Sequence, residues 1–350
     1  MDLSTLKLKL NQFNQSELFY QSYFEAGKNH TIEQFLNHID MDFIKENNII
    51  IPELTQTIPV EHDYLDSFFF DMDSKHSICL QKHNCFSPPL LHQHTFFECI
   101  YVMEGTCTQS INGTAVMMKT GDICLIPPGV KHTISVFDKS IIINILIRKT
   151  TFEDIFFNFI RTDNILSMFF INNIYSQHVN DYIIFHSGND NAIYSIIINM
   201  YLEYVNEEPY SHAILNNALM ILFAQLLRHY EETSELPPLV KKSDVQGFAL
   251  IRFIQDNYIN VTLNDIAEKF HYTPEYTSKL IKDTTGFTFT KILSRIRLEH
   301  AIGLLCDTNI SVANICHEVG YLNPEHFIRT FKKTYQMTPT EYRRQKSSQV

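Results

Sequence analysis

The chain has 350 residues, of which 45% are hydrophobic and 19% charged, and its formal net charge is −11. This composition excludes an intrinsically disordered protein, and the length favours two or three domains. The charge is unevenly distributed, because residues 1–240 carry 13 basic and 28 acidic side chains whereas residues 241–350 carry 15 and 11. Contact with nucleic acid is therefore disfavoured for the acidic part and reasonable for the basic last third, whose net charge is +4.

The cysteines and the apolar runs indicate the compartment. Seven cysteines form no Cys-x-x-Cys pair, and several lie in apolar stretches: Cys79, Cys85, Cys99, Cys107, Cys124, Cys306 and Cys316. They are predicted to be buried, reduced thiols. The sequence begins without a basic-then-apolar leader, and no apolar run approaches the ~18 residues of a membrane span. We therefore expect a cytoplasmic protein that does not enter a membrane.

Residues 1–65 form an N-terminal extension with mixed signals. Four apolar residues at helical spacing predict one amphipathic helix: Phe35, Leu36, Ile39 and Phe43. The run Ile49-Ile50-Ile51, which ends at Pro52, predicts a short strand. No chemistry is assigned to this extension, and an extra layer on the following domain is one interpretation of it.

Residues 66–190 change to short apolar runs separated by turns, which predicts β-strands. The predicted strands cover residues 68–70, 79–80, 98–103, 107–111, 115–118, 122–126 and 141–147. Asn112-Gly113 between two of them is typical of a type I′ hairpin. Many short antiparallel strands at regular spacing favour a sandwich or a small barrel.

This domain resembles a cupin, a double-stranded β-helix related to the jelly roll. The residues that carry the resemblance are His92-Gln93-His94, Glu98 and Gly105 for one motif, and Gly121, Pro127, Gly129 and His132 for the other. In metal-binding cupins these positions hold iron, manganese or zinc. The resemblance therefore implies one shared site on the barrel for His92, His94, Glu98 and His132.

Two interpretations of that site remain open. An organic effector is favoured because Phe96, Phe97 and Tyr101 lie near the histidines in sequence, so the site is expected to be apolar and aromatic. The predicted effector-binding residues are His92, His94, Glu98, Tyr101 and His132. The alternative is a metal ion held by His92, His94, Glu98 and His132, as in a metal sensor or a metal-dependent cupin enzyme. No cofactor and no catalytic residue is predicted, since no separate general base or cofactor loop is present.

Helical spacing returns in residues 191–232. One stripe comprises Ile193, Ile196, Ile197, Met200 and Tyr204, and a second comprises Ile214, Leu215, Ala218, Leu219, Leu222 and Leu226. A helical hairpin is predicted that covers the barrel, pairs two subunits, or does both. Residues 233–245, with Pro237-Pro238, are predicted to be an interdomain linker.

Residues 246–346 contain an internal repeat. The stretch 281–289 (IKDTTGFTF) returns fifty positions later at 331–339 (FKKTYQMTP), Pro274-Glu275 returns as Pro324-Glu325, and Lys279 returns as Arg329. Two copies are too few for a solenoid. Each copy instead has a supporting apolar stripe, a short turn, an N-cap (Thr273 or Asn323) and a proline in the first helical position. This order predicts two helix-turn-helix modules.

The segment resembles the DNA-binding domain of the AraC/XylS family of transcription regulators, in which a long helix joins two helix-turn-helix modules. The matching stretches are 295–305 (RIRLEHAIGLL) for the long helix and 315–343, including Gly320-Tyr321 and Phe331-Lys332-Lys333, for the second module. Regulators of this family commonly carry a cupin-like domain before these modules. The predicted DNA-facing residues are Glu275, Ser278, Lys279, Lys282, Glu325, Ile328, Arg329, Lys332 and Lys333.

The predicted fold class is α+β multidomain, with an N-terminal cupin-like β-barrel and helical hairpin followed by an all-α tandem helix-turn-helix domain. The predicted function is a transcription regulator, an activator that responds to a small-molecule effector. Its expected partners are double-stranded DNA, the effector, a second copy of the chain in a homodimer and, for an activator, RNA polymerase.

Overall fold

The computed structural model describes residues 1–54, 62–64, 69–70, 77–156, 169, 182–235, 242–285, 287–307, 310–335 and 337–347. They divide into an N-terminal unit up to residue 235 and a C-terminal unit from residue 242. Within these residues, no helix is long and apolar enough to cross a membrane.

The N-terminal unit opens with four helices. They are α1 (Leu3–Asn11), α2 (Gln15–Lys28), α3 (Ile32–Leu36) and α4 (Met41–Glu46), followed by a 3₁₀ turn at Pro52–Leu54. The predicted single helix across residues 35–43 is wrong, because the chain leaves the helix after Leu36 and Asp40 caps a new one by accepting from the backbone N–H groups of Asp42 and Phe43. The strand predicted at residues 49–51 is also wrong. Ile49 and Ile51 are buried there without strand pairing.

Ten strands form two five-stranded sheets in the described part of this unit. One sheet has the order β1 (His62–Tyr64), β3 (His92–His94), β8 (His132–Ser135), β5 (Thr106–Ile111) and β6 (Thr114–Lys119). The other has the order β10 (Ile183–His186), β7 (Asp122–Ile126), β4 (Phe97–Glu104), β9 (Ile141–Ile147) and β2 (Ile78–Lys82). Six of the seven predicted strands are present, and they correspond to β2, β4, β5, β6, β7 and β9.

The hairpin between β5 and β6 has the predicted turn. Asn112 and Gly113 both have positive φ, 49° and 83°, and Ile111 pairs with Thr114 across them. Two positive φ values at the central positions are the mark of a type I′ turn. The strand predicted at residues 68–70 is wrong where it is described, since Phe69 and Phe70 lie in a helical turn and a bend; Phe68 lies outside the described residues.

The core of the N-terminal unit lies between the two sheets and includes residues of the N-terminal helices. Ile100, Ile126 and Ile134 from the sheets share one apolar cluster with Tyr20 of α2 and Ile44 of α4. Ring contacts continue this cluster outward, as between Phe13 and Phe86 (5.8 Å) and between Phe24 and Phe137 (4.8 Å). The extension is therefore a layer of the barrel domain, as one interpretation of the sequence had it, and residue 65 does not separate two cores.

A buried ion pair ties α2 to the barrel. Glu17 is fully buried and lies 2.9 Å from the ammonium group of Lys82, which is itself 9% exposed. The same carboxylate accepts hydrogen bonds from the backbone N–H groups of Asn14 (2.9 Å) and Cys85 (3.3 Å). Glu17 thus completes the capping box of α2 and satisfies a backbone donor of the barrel at once.

The predicted helical hairpin is present. After α5 (Lys149–Phe156) and β10, the chain forms α6 (Asn191–Asn206) and α7 (Ser211–Tyr230). Ile193, Ile197, Leu219 and Leu222 are buried along the predicted stripes. Ile196 and Tyr204 are only half-buried and Ile214 is 48% exposed.

The linker is shorter than predicted at both ends. Glu235 pairs with Ile184 of β10 through two backbone hydrogen bonds, and its carboxylate lies 3.1 Å from Nε2 of His186. The first helix of the C-terminal unit already begins at Lys242. Pro237 and Pro238 lie outside the described residues.

The C-terminal unit is all-α. Its helices are α8 (Lys242–Asp256), α9 (Leu263–Phe270), α10 (Pro274–Thr285), α11 (Phe289–Asp307), α12 (Val312–Glu318), α13 (Pro324–Tyr335) and α14 (Pro339–Ser347). In the first module α9 precedes α10 across a turn at His271, which adopts φ 56°. In the second module α12 precedes α13 across a turn at Gly320, with φ 85°. Helix α11 is the predicted long connection.

A set of contacts around Arg297, in the middle of α11, joins the two modules. Its guanidinium donates to the backbone carbonyls of Tyr258 (2.9 Å) and Ile259 (2.8 Å), in the loop that precedes α9, and lies over the Tyr321 ring. Gly320 also packs so closely on Ile259 that a Cβ at this position would lie 2.3 Å from the Ile259 carbonyl oxygen. The loop of the first module and the turn of the second therefore meet on one helix.

Candidate functional site

Helix α13 has a charged outer face and an aromatic inner face. Phe327 and Phe331 are fully buried, with ring centroids 5.9 Å apart. The helix begins where the Asn323 side chain accepts hydrogen bonds from two backbone N–H groups, as predicted for its N-cap. The predicted DNA-facing residues of this helix are exposed: Glu325, Ile328, Arg329, Lys332 and Lys333. Their spacing places Glu325, Ile328, Arg329 and Lys332 along one face.

Helix α10 repeats this arrangement in the first module. The Thr273 hydroxyl accepts from the backbone N–H of Tyr276, so the predicted N-cap is formed. Leu280 and Ile281 are buried. Of the predicted DNA-facing residues, Glu275, Lys279 and Lys282 are exposed, and Ser278 is half-buried. Both helices thus combine an apolar inner face with a polar and basic outer face.

The barrel brings together the predicted histidines and the glutamate. His92 pairs with His132 across β3 and β8, and their ring centroids are 4.1 Å apart. Glu98 extends Oε2 to within 3.0 Å of His132 Nε2 and 3.3 Å of His94 Nε2. His94, Glu98 and His132 are buried, and His92 is half-buried. One ligand atom each from His92, Glu98 and His132 lies within 4.8 Å of the other two.

The backbone orients all three imidazoles in the same way. Nδ1 of His92, His94 and His132 lies 3.0, 2.6 and 3.1 Å from the carbonyl oxygens of Leu90, Phe96 and Val130, respectively. A carbonyl only accepts, so each Nδ1 donates its hydrogen. In the neutral ring Nε2 then carries the lone pair. The Nε2 atoms of His132 and His94 lie 3.0 and 3.3 Å from the Glu98 carboxylate. A proton or a cation between these groups would offset the repulsion between the lone pairs and the carboxylate.

The cluster shifts the pKa of its members. Burial lowers the pKa of His92 to about 3, with a further contribution from His132. Burial also lowers the pKa of His94. Burial alone would raise the pKa of Glu98, but the neighbouring imidazoles of His132 and His94 hold it well below its usual range. Although His94 Nε2 is near Glu98, it makes no aligned hydrogen bond in the described structure.

Tyr101 does not join this cluster, which corrects its predicted place in the effector site. It stands three residues after Glu98 on β4, and residues at odd spacing in a strand point to opposite faces. Tyr101 lines a separate cavity of about 350 Å³ together with Lys7, Glu104 and Tyr194. Of the other aromatic residues expected nearby, Phe96 stacks on His94 at 4.5 Å, whereas Phe97 stacks on Phe152 of α5.

One further histidine interacts with the cluster electrostatically. Burial lowers the pKa of His83 to about 4, against the opposing effect of the Glu98 and Glu17 charges. Sequence analysis missed His83 because it follows β2 outside both cupin motifs, and no spacing rule connects it to them.

Two family models match the chain in the regions just described. The AraC-like ligand binding domain matches residues 78–140, which contain the whole histidine–glutamate cluster, and a helix-turn-helix domain matches residues 266–345, which contain both charged helices. The regulatory protein RhaR, a transcriptional activator of Mannheimia succiniciproducens, is 24% identical over 83% of this chain and 98% of its own length. In both regions the chain is similar to transcription regulators of the AraC family.

Other similar proteins match a smaller part of this chain. The uncharacterized transcriptional regulator YtdP of Bacillus subtilis is 32% identical over 35% of this chain, a match that spans only 18% of YtdP. Among solved structures, an apo ToxT variant from Vibrio cholerae is 15% identical, covers 77% of this chain and 98% of that chain, and gives a TM-score of 0.35. The four N-terminal helices of this chain lie outside both family models.

Proposed function

We propose that this chain regulates transcription by binding double-stranded DNA through α10 and α13, in response to a small ligand held by the barrel domain. The observation that carries the proposal is the repeated module, in which a buried apolar face supports an exposed basic face. It lies in the last third of the sequence, which carries a net charge of +4. The names of the relatives support a regulator rather than an enzyme, and we propose no catalytic step.

The two helices are proposed to enter adjacent major grooves on one side of the duplex, about 34 Å apart. Arg329 and Lys279, at equivalent positions in the repeat, are assigned to base edges because the first turns of a recognition helix reach the floor of the groove. Lys332 and Lys333, in the last turn of α13, are assigned to phosphates.

The two roles predict different mutant behaviour. Arg329→Ala should cost about 1–3 kcal/mol on a preferred sequence and relax the preference at one position. Lys333→Ala should weaken binding to all sequences alike and reduce the salt dependence by about one phosphate contact. The measurement is the affinity of the full-length chain, at several salt concentrations, for a duplex enriched from a random library and for a scrambled duplex. An equal loss on both duplexes from both variants would contradict these assignments.

The ligand site is proposed at His92, His94, Glu98 and His132. These residues present three imidazoles and a carboxylate that can hydrogen-bond to a small organic effector, and His92 remains partly accessible. The inner cluster of the barrel is filled by side chains of the sheets and of α2 and α4, so we propose an effector that approaches beside His92 rather than one enclosed between the sheets.

A metal ion is the second candidate, favoured by the common orientation of the imidazoles. Metal-bound histidines usually donate their second ring N–H to a carbonyl or a carboxylate, as all three Nδ1 atoms do here. His92, Glu98 and His132 would hold the ion, and His94, whose Nε2 lies 3.3 Å from Glu98 Oε2, would complete the set of ligands. Nitrogen and carboxylate ligands suit zinc, iron, manganese and related ions, and such an ion would supply a positive charge that neutralises Glu98.

His94→Ala distinguishes the two candidates. If the cluster binds an organic effector, the variant should retain its DNA affinity without effector and lose the change in affinity or transcription on adding one. If it binds metal, the parent should contain stoichiometric metal and the variant should lose it together with thermal stability. Metal content, melting temperature and the response to a metabolite panel are measured on the same preparations. Metal in the parent that disappears in the variant would overturn the organic-effector proposal.

The remaining partners are proposed from the surface and from the family. Ile214, Ala218 and Ile221 lie along one side of α7, and the two isoleucines are 48% and 53% exposed. This stripe suits pairing with a second copy of the chain in a homodimer. Activation would add a contact with RNA polymerase, and a regulator of bacterial genes acts in the cytoplasm.

A further inference from the structure

One apolar side chain interrupts the charged face of α13. Ile328 is 36% exposed, whereas Phe327 beside it is fully buried. Glu325, Arg329 and Lys332 surround it on the same helix face, so it does not belong to the apolar inner face. The neighbouring Thr330 hydroxyl is occupied by a bond to the carbonyl of His326 (2.7 Å). About a third of this isoleucine is thus left in contact with water on a polar surface.

The internal repeat shows that the position is not apolar in both modules. An offset of fifty residues relates Lys279 to Arg329 and Ser278 to Ile328. The basic residue is thus present in both modules, whereas the residue before it has a hydroxyl side chain in the first module and a branched hydrocarbon side chain in the second. The two helices therefore present different chemistry at the same place in their outer faces.

Only one base offers an apolar group in the major groove. The C5-methyl group of thymine lies there beside hydrogen-bonding groups, and apolar side chains contact it. Ile328 is the fifth residue of α13, within the part of a recognition helix that reaches base edges. Since burial of a hydrocarbon is favourable only against another apolar group, we propose that Ile328 reads a thymine methyl group in the half-site of the second module. This inference rests on the proposed DNA binding, and it makes the two half-sites chemically unequal.

The test removes the methyl group from the DNA. The full-length chain selects its preferred duplex from a random library, and the half-site of the second module is identified as the one whose preference relaxes in Arg329→Ala. Each thymine is then replaced singly by deoxyuridine, which lacks only the C5-methyl group. One replacement in that half-site should weaken binding about three- to fivefold, the effect of losing one buried methyl group.

Ile328→Ser gives the second module the serine that the first module has at the equivalent position, Ser278. This variant should fold normally and should bind the thymine and deoxyuridine duplexes equally. The control is Leu8→Ser, another exposed apolar residue, which lies in α1 outside the helix-turn-helix modules and is 64% exposed; it should retain the difference. The proposal is overturned if no thymine in that half-site is sensitive, or if the sensitivity persists in Ile328→Ser. Failure to enrich any sequence would overturn DNA binding itself, and this inference with it.

Discussion

We expect Phe331→Ala to unfold the second helix-turn-helix module and to abolish binding to the preferred duplex. Its ring is fully buried and contacts Phe327, Tyr335 and Tyr342 at centroid distances of 5.9, 4.8 and 5.7 Å. Removing a buried phenylalanine ring costs about 3–5 kcal/mol, because apolar burial is lost and a cavity remains. That loss is comparable to the whole stability of a small domain.

Hydrogen exchange of the full-length chain measures this effect locally. The amides of α12, α13 and α14 should lose protection, while those of the barrel strands should not. Thr334→Ala is the matched control one turn away, since this exposed residue bonds only to the Thr330 carbonyl among the contacts of the described chain. Unchanged protection in Phe331→Ala would show that the inner face of α13 does not support the module.

We expect Glu17→Ala to release the N-terminal helices from the barrel. The substitution leaves the Lys82 ammonium group in a site that is only 9% exposed and removes the acceptor of two backbone N–H groups. Breaking a buried ion pair in this way costs about 3–5 kcal/mol. The expected result is a lower melting temperature of the barrel unit and increased proteolysis within residues 1–54.

A double substitution separates the charge from the packing. Replacing both Glu17 and Lys82 with methionine should recover much of the loss, because an apolar pair of similar size no longer leaves a buried charge unpaired. Glu25→Ala, at an exposed position on the same helix, should have little effect. A melting temperature for Glu17→Ala equal to that of Glu25→Ala would exclude the proposed role of the ion pair.

The elements predicted best from the sequence are those with a strong apolar pattern or with a pattern that occurs twice. Strands β4, β7 and β9 are nearly continuous apolar runs, and the fifty-residue repeat located both modules with their caps. Strands β3 and β8 were missed because each has only three or four residues and contains histidines, which carry no alternating apolar signal. The contribution of α2 and α4 to the barrel core was left open, because helical spacing predicts a buried face but not what covers it.

The residue types in the cluster were easier to predict than the directions in which their side chains point. Motif spacing predicted the proximity of His92, His94, Glu98 and His132, whereas Tyr101, which is close to them in sequence, lines a separate cavity. The two-residue period of a strand already places Tyr101 opposite Glu98. The orientation of the imidazoles could not be predicted, because it depends on the carbonyls of Leu90, Phe96 and Val130. Those carbonyls take their positions only when the loops are folded.

The contacts of Arg297 with both modules have a consequence for the choice of genomic sites. Because α11 carries the loop of one module and the turn of the other, neither module can rotate independently to follow a displaced half-site. Each inserted base pair turns the second half-site by roughly a tenth of a helical turn around the duplex axis. Selection on operators for this regulator would then tolerate changes of individual bases more readily than insertions or deletions between the half-sites. Its target sites in a genome are best sought with a search pattern that fixes the spacing between the half-sites and allows individual bases to vary.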